Sequence, residues 1–116
     1  MPLIRVETNQ TLTSAEADTL CAALSRAAAE LIGKPEEYVQ ALVSGAVLGM
    51  RHGGAPGPAA FVEVFSIGGL TPQTNIALSA RICALLAEQG VPSERVYLNF
   101  TDVRASHWGH DGGTFG

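Results

Sequence analysis

Apolar residues along the chain repeat at two spacings. Between residues 20 and 31 they fall three and four apart, at Leu20, Leu24, Ala27, Ala28 and Leu31, which predicts one face of a helix. Thr13-Ser14-Ala15-Glu16 precedes this stretch as a capping box, in which the Thr13 hydroxyl and the Glu16 carboxylate answer amides left free at a helix start. The predicted helix runs to about Ile32; Gly33 suits the left-handed position past its end, and Pro35 blocks continuation. A second helix is expected from Thr71, with Thr71 as cap and Pro72 in the first helical position, ending near Gly90 and carrying Ile76, Ala80, Cys83 and Ala87 on one stripe. Four shorter segments read as strands: residues 2–8, 38–48, 61–67 and 96–101. Gly49 to Pro58 is a linker by composition.

These elements come in two copies. Pro35-Glu36-Glu37-Tyr38-Val39 is echoed 57 residues later by Pro92-Ser93-Glu94-Arg95-Val96. Thr13, Leu20, Ala22, Ala29 and Glu30 are echoed 58 residues later by Thr71, Leu78, Ala80, Ala87 and Glu88. So long a period in so short a chain describes one supersecondary unit written twice, not a solenoid. Each unit is strand, helix, strand, with copies over about 1–50 and 58–102 and a tail over 103–116, all in a single domain spanning 1–116. The expected fold is α/β in the α+β sense: two βαβ repeats forming a four-stranded mixed sheet with two helices on one face. The opposite face is expected to be apolar, with no layer left in the chain to cover it, which implies oligomerisation. Trp108 and Phe115 in the Gly-rich tail suggest that the tail docks on a neighbouring subunit.

Composition narrows the function classes. The net charge is −4 and the basic residues are scattered, which argues against nucleic-acid binding. No stretch reaches the length of an apolar membrane span, and no basic leader precedes an apolar run, so neither a membrane nor a signal peptide is expected. Cys21 and Cys83 lie far apart without metal-ligand spacing and read as buried thiols of a reducing, cytoplasmic compartment. No metal site or cofactor is expected: His52, His107 and His110 lie in loops or the tail, and no phosphate loop, dinucleotide fingerprint or nucleophile elbow is present.

What chemistry remains sits at the chain start and on the last strand. Pro2 follows Met1, so removal of Met1 would expose a secondary amine able to act as a base without any side chain. By itself the same start reads as an ordinary processed terminus, and only the residues around it point to chemistry. If Lys34 lies near that amine, its charge and an apolar pocket both lower the amine pKa toward the operating pH, where a general base works best. On the last strand, Val96, Leu98 and Phe100 face one way, while Tyr97 and Asn99 put a phenol and an amide on the other face.

Taken in order, Met1-Pro2, Gly33-Lys34-Pro35 with Tyr38, Ser66-Ile67-Gly68, Arg95-Val96-Tyr97-Leu98-Asn99 and Thr114-Phe115 resemble the macrophage migration inhibitory factor family of the tautomerase superfamily. The resemblance covers nearly the whole chain. It implies a homotrimer, with three sheets forming a barrel inside a shell of helices and active sites between subunits. It implies Pro2 as general base, Lys34 and the backbone of Ile67 as substrate contacts from the same subunit, and Tyr97 and Asn99 as contacts from the neighbour. Tyr38, Trp108, His110 and Phe115 would line an aromatic mouth. The implied reaction is cofactor-free keto–enol tautomerisation of an aromatic 2-keto acid such as phenylpyruvate. The alternative it carries is a cytokine-like signalling protein that binds a receptor, in a family whose members leave cells without a signal peptide. The chain departs from the family pattern in three places. Ala59-Ala60-Phe61-Val62 stands where the mammalian cytokine has Cys-x-x-Cys, so a thiol–disulfide activity of that motif is not expected. Gly69 replaces a lysine at the pocket rim, and Trp108 and His110 displace the family's usual tail aromatics.

Overall fold

The computed structural model describes residues 1–116. Its elements are β1 (Leu3–Thr8), α1 (Ser14–Ala28), β2 (Gln40–Ser44), β3 (Ala60–Ser66), α2 (Pro72–Ala87) and β4 (Val96–Asp102), followed by a small hairpin of β5 (Gly109–His110) and β6 (Gly113–Thr114). The main sheet has the order β2-β1-β3-β4. β1 runs parallel to β2 and β3 parallel to β4, and the two pairs meet antiparallel at β1 and β3, with Leu3 opposite Phe65 and Thr8 opposite Ala60.

The duplication is visible in three dimensions. The Thr13 hydroxyl accepts from Glu16 N at 3.1 Å and the Glu16 carboxylate accepts from Thr13 N at 2.9 Å, completing the capping box. At the equivalent place the Thr71 hydroxyl accepts from Thr74 N at 3.1 Å, ahead of Pro72 in the first turn of α2. Both copies then enter their second strand through one turn of 3-10 helix, Glu36–Tyr38 and Ser93–Arg95, each opened by a proline carbonyl that accepts from the residue three ahead. Each cap is therefore expected to contribute a similar share of stability: Thr13→Ala and Thr71→Ala should each cost about 1 kcal/mol in denaturant unfolding.

Between sheet and helices lies one core. Ile4, Val6, Val62 and Val64 from the central strands meet Leu20, Leu24 and Ala28 of α1 and Leu78, Ile82 and Leu86 of α2, all buried. The α1 face matches the sequence pattern, with Ile32 added from a turn of π-helix, Ala29–Gly33, that extends the helix to the left-handed Gly33 at φ 79°. The α2 face does not match. Ile76 is 72% exposed, and the buried stripe is Leu78, Ile82 and Leu86. α2 is apolar around more than one face, and the core takes the stripe with the three large branched side chains. Ile76, Ala80 and Cys83 instead form a shallow outer groove with Phe100.

Two further expectations are corrected, and the tail takes a defined structure of its own. The second strand covers only Gln40–Ser44 of the expected 38–48, because Glu36–Tyr38 is taken up by the 3-10 turn and Ala46 takes a positive φ of 55° just past the strand. The open face of the sheet is mixed rather than apolar: Leu3, Leu42, Phe61, Phe65 and Tyr97 share it with Glu7, Asn99 and an Arg5–Glu63 ion pair across β1 and β3. The tail does not trail away: Ala105–His107 forms a 3-10 turn, and the β5–β6 hairpin, turning on Asp111-Gly112, folds back on its own chain, with Phe115 N donating to Trp108 O at 3.1 Å. Both cysteines are free and half-buried; burial is the main cause raising each thiol's pKa. No helix is long and apolar enough to cross a membrane.

Candidate functional site

The chain's start lies where β1 leaves the sheet between β2 and β3. Pro2 is buried, and its carbonyl accepts from Gln40 N at 3.0 Å, which fastens it to the first residue of β2. On the other side, carrying the β1–β3 register past Leu3 and Phe65 sets Pro2 opposite Ser66 and Met1 opposite Ile67. The Ser66-Ile67-Gly68 turn is held by the Ser66 hydroxyl donating to Gly68 O at 2.7 Å and by Gly68 N donating to Asp102 Oδ1 at 3.0 Å.

Lys34 follows Gly33 at the end of the helical segment and reaches the same place. The terminal amine, carried in the full chain by Met1, is held below the ordinary α-amino pKa first by burial and then by the charge of Lys34. Both influences expected of an activated amine are therefore present at the chain's start. Gly69 explains how Lys34 is seated. Its φ is +80°, and a Cβ there would fall 2.7 Å from Ile32 Cγ2 and 3.8 Å from Lys34 Cε. The bare backbone lets the 67–69 turn close over Ile32 and the lysine stem. Gly69→Ala adds steric overlap to an unfavourable φ, and is expected to cost about 1–3 kcal/mol, read as a lower urea midpoint.

Above Pro2 opens a cleft of about 450 Å³, within the size range of small-molecule sites. Met1, Pro2, Tyr38, Trp108, His110 and Phe115 line it, with Glu37, Val39, Gln40 and Gly109. The His110 and Phe115 rings stack with centroids 5.5 Å apart and planes 9° from parallel. The tail aromatics thus line the cleft of their own chain. Glu37 and Gln40 were not singled out from sequence. Only their position beside Tyr38, at the turn into β2, marks them.

Tyr97 and Asn99 stand apart from this cleft. Both are exposed on the open face, as the alternation of β4 requires. Tyr97 pairs through Phe61 with Glu7, whereas Leu3, the neighbour of Pro2, pairs through Phe65 with Thr101. That separates Tyr97 from the Pro2 end by roughly 13 Å along the strands and roughly 10 Å across two strand spacings. No rotamer of Tyr97 spans this distance. A single chain therefore gathers Pro2, Lys34, Ile67, Tyr38 and the tail aromatics at one end of the sheet and leaves Tyr97 and Asn99 pointing outward elsewhere. No cluster of three or more His, Cys, Asp or Glu side chains is arranged to hold a metal ion.

Comparison with known proteins matches this architecture over its full length. The family model described as macrophage migration inhibitory factor covers residues 1–116. A macrophage migration inhibitory factor homolog of Trichuris trichiura is 34% identical over 116 residues, spanning 99% of this chain and 100% of that protein. The homolog of Brugia malayi is 35% identical, spanning 100% of both. Among solved structures, macrophage migration inhibitory factor of Toxoplasma gondii superposes with a TM-score of 0.94 at 35% identity, over 97% of this chain and 99% of that one. The homologue from Prochlorococcus marinus gives 0.92 at 36% identity, over 98% and 99%.

Proposed function

The chain belongs to the macrophage migration inhibitory factor family, and from that premise we propose that it is a cofactor-free keto–enol tautomerase of aromatic 2-keto acids, with Pro2 as its base once Met1 is removed. The observation that carries the proposal is the chain's start at the foot of an aromatic-lined cleft, where Pro2 is buried and where burial and Lys34 both lower the pKa of the Met1 amine one residue before it.

The neutral Pro2 nitrogen takes a proton from the carbon next to the substrate carbonyl. The electron pair of that C–H bond moves toward the carbonyl oxygen, giving an enolate and a protonated proline. The prolinium then returns the proton to oxygen, releasing the enol; the reverse path runs through the same species. Lys34 attracts the substrate carboxylate and stabilises charge developing on the enolate oxygen. Tyr38, Trp108 and the stacked His110–Phe115 pair flank the aromatic ring. The backbone of Ile67 lies beside the base and contributes a polar contact.

Under this reading the site is complete only in a homotrimer. Tyr97 and Asn99 are too far from their own Pro2 to touch a substrate there, and a neighbouring copy brings them in from outside. The open sheet face, with Leu42, Phe61, Phe65 and Tyr97 at its surface, is then covered by the other two subunits.

The direct test is to follow phenylpyruvate tautomerisation by ultraviolet absorbance with Met1-free protein against buffer alone. Acceleration that saturates with substrate supports the reading. A rate equal to buffer overturns it.

A further inference from the structure

Tyr97 is 68% exposed, yet one group of its own chain rests on it: the His52 ring, with centroids 4.6 Å apart and planes tilted by 43°. His52 belongs to the connection between β2 and β3, which the sequence presents as a glycine-rich linker. At His52 this connection is built with care. His52 N donates to Ala55 O at 3.1 Å and Ala55 N returns a bond to His52 O at 3.0 Å, closing a two-residue turn. The turn residues Gly53 and Gly54 both have positive φ, 58° and 79°, as a tight mirror-image turn requires. Arg51 Nη1 donates to Gly54 O at 3.0 Å.

The same turn is tied to the strand that carries Tyr97. Arg95, two residues before Tyr97, donates through Nη2 to Ala55 O at 3.0 Å and to Gly57 O at 3.3 Å, and through Nε to Pro58 O at 2.6 Å. Asn9 completes the fastening: its Nδ2 donates to Gly57 O at 2.8 Å and its Oδ1 accepts from Ala59 N at 2.9 Å. One arginine thus fixes the distance between the turn and the start of β4, and the ring presented by the turn lands on the ring presented by the strand. Without His52, an exposed phenol on a sheet surface is free to change rotamer.

We propose that His52 is a positioning residue for Tyr97: it holds the phenol in the orientation that forms one wall of the neighbouring subunit's aromatic site. This rests on the tautomerase reading above. His52 touches no substrate and takes part in no proton transfer; its contribution is to remove rotamer freedom from a side chain that otherwise must be ordered on binding. A tilted aromatic pair at this separation favours its arrangement modestly. Loss of the pair should therefore raise KM for an aromatic keto acid by about threefold to tenfold and leave kcat nearly unchanged, as removal of uniform binding does.

Two measurements test this, one of them independent of activity. The chain has only two tyrosines, Tyr38 and Tyr97, so selective tyrosine labelling gives two sets of ring signals by nuclear magnetic resonance. His52→Ala is expected to shift and average the Tyr97 set and leave the Tyr38 set in place; unchanged Tyr97 signals overturn the ring contact. In parallel, KM and kcat for phenylpyruvate are measured for wild type, His52→Ala, His52→Phe and Pro2→Ala. The proposal expects a higher KM for His52→Ala and recovery in His52→Phe, which restores an aromatic face without a titratable group. Equal KM values for wild type and His52→Ala, or no recovery in His52→Phe, overturn the role of His52 and leave the proline mechanism standing. Equal rates for wild type and Pro2→Ala overturn the mechanism itself, whatever the labelled tyrosines show.

Discussion

Pro2→Ala is expected to lower the rate of phenylpyruvate tautomerisation by about 10²-fold, near the lower end of what a positioned general base contributes. The loss is not total, because alanine still presents an amine at the chain's start beside Lys34. What disappears is the ring. A prolyl nitrogen has its φ fixed by the pyrrolidine, so its lone pair is aimed by the backbone of β1. Alanine leaves that nitrogen free to rotate, and small misplacements of a reacting atom are costly. The pH profile checks the assignment. The amine acts as base only when neutral, so activity falls as pH drops through its pKa; burial and Lys34 lower the pKa of the Met1 amine one residue away, and the same two influences are expected to act on the Pro2 nitrogen once Met1 is gone. Lys34→Ala removes the second of these causes and should move the acid limb upward. An acid limb that stays in place in Lys34→Ala, with Pro2→Ala as active as wild type, rejects Pro2 as the base.

Retention of Met1 is expected to abolish activity. With Met1 attached, the Pro2 nitrogen is an amide whose lone pair is delocalised into the carbonyl, and it cannot accept a proton. The amine of Met1 does not replace it. It sits one residue out, about 3.8 Å of chain further along, and the Met1 residue itself lines the cleft the substrate must enter. Intact mass spectrometry of several preparations, set against specific activity, gives the measurement. Activity should rise in proportion to the Met1-free fraction and extrapolate to the buffer rate for fully retained chains. Full activity from chains that keep Met1 rejects the mechanism.

Local physics made much of the fold readable in advance. The Thr13 and Thr71 caps, the stop at Gly33-Lys34-Pro35 and the matching Pro35 and Pro92 segments each depend on residues a few positions apart, and each is present. β4 followed its alternation, with Val96 buried and Tyr97 exposed. The failures arise where distant parts of the chain decide. Ile76 and Leu78 both lie on apolar stripes of α2, and only the position of the sheet selects Leu78 for the core. Residues 45–48 keep strand-like composition, but the regular pairing with β1 ends at Glu7 and Ser44, and the positive φ of Ala46 leaves only the Val47 N to Thr8 O bond beyond it. Nothing in the sequence from Arg104 to Gly116 announces that Trp108 and Phe115 line the same cleft as Pro2.

The candidate site divides in the same way. Lys34 was placed near the amine as a condition, and its charge is felt there. Glu37 and Gln40 escaped notice because a polar residue beside a turn has no signature of its own. The contact between His52 and Tyr97 joins residues 45 positions apart through an arginine whose role in holding backbone carbonyls no motif records.

The antiparallel meeting of β1 and β3 gives the domain two corresponding ends. The position matching Pro2 in the second copy is Ala59, at the same 57-residue offset that relates Pro35 to Pro92. At that end the chain is continuous: Ala59 N donates to Asn9 Oδ1 at 2.9 Å and Ala59 O accepts from the Thr8 hydroxyl at 2.7 Å. Duplication can copy a strand, a cap or a proline turn, but it cannot copy a beginning. The internal symmetry of the domain therefore has one direction in which it must break. However alike the two halves become, only the first can carry a terminal amine, so under the proposed mechanism each chain supplies one base.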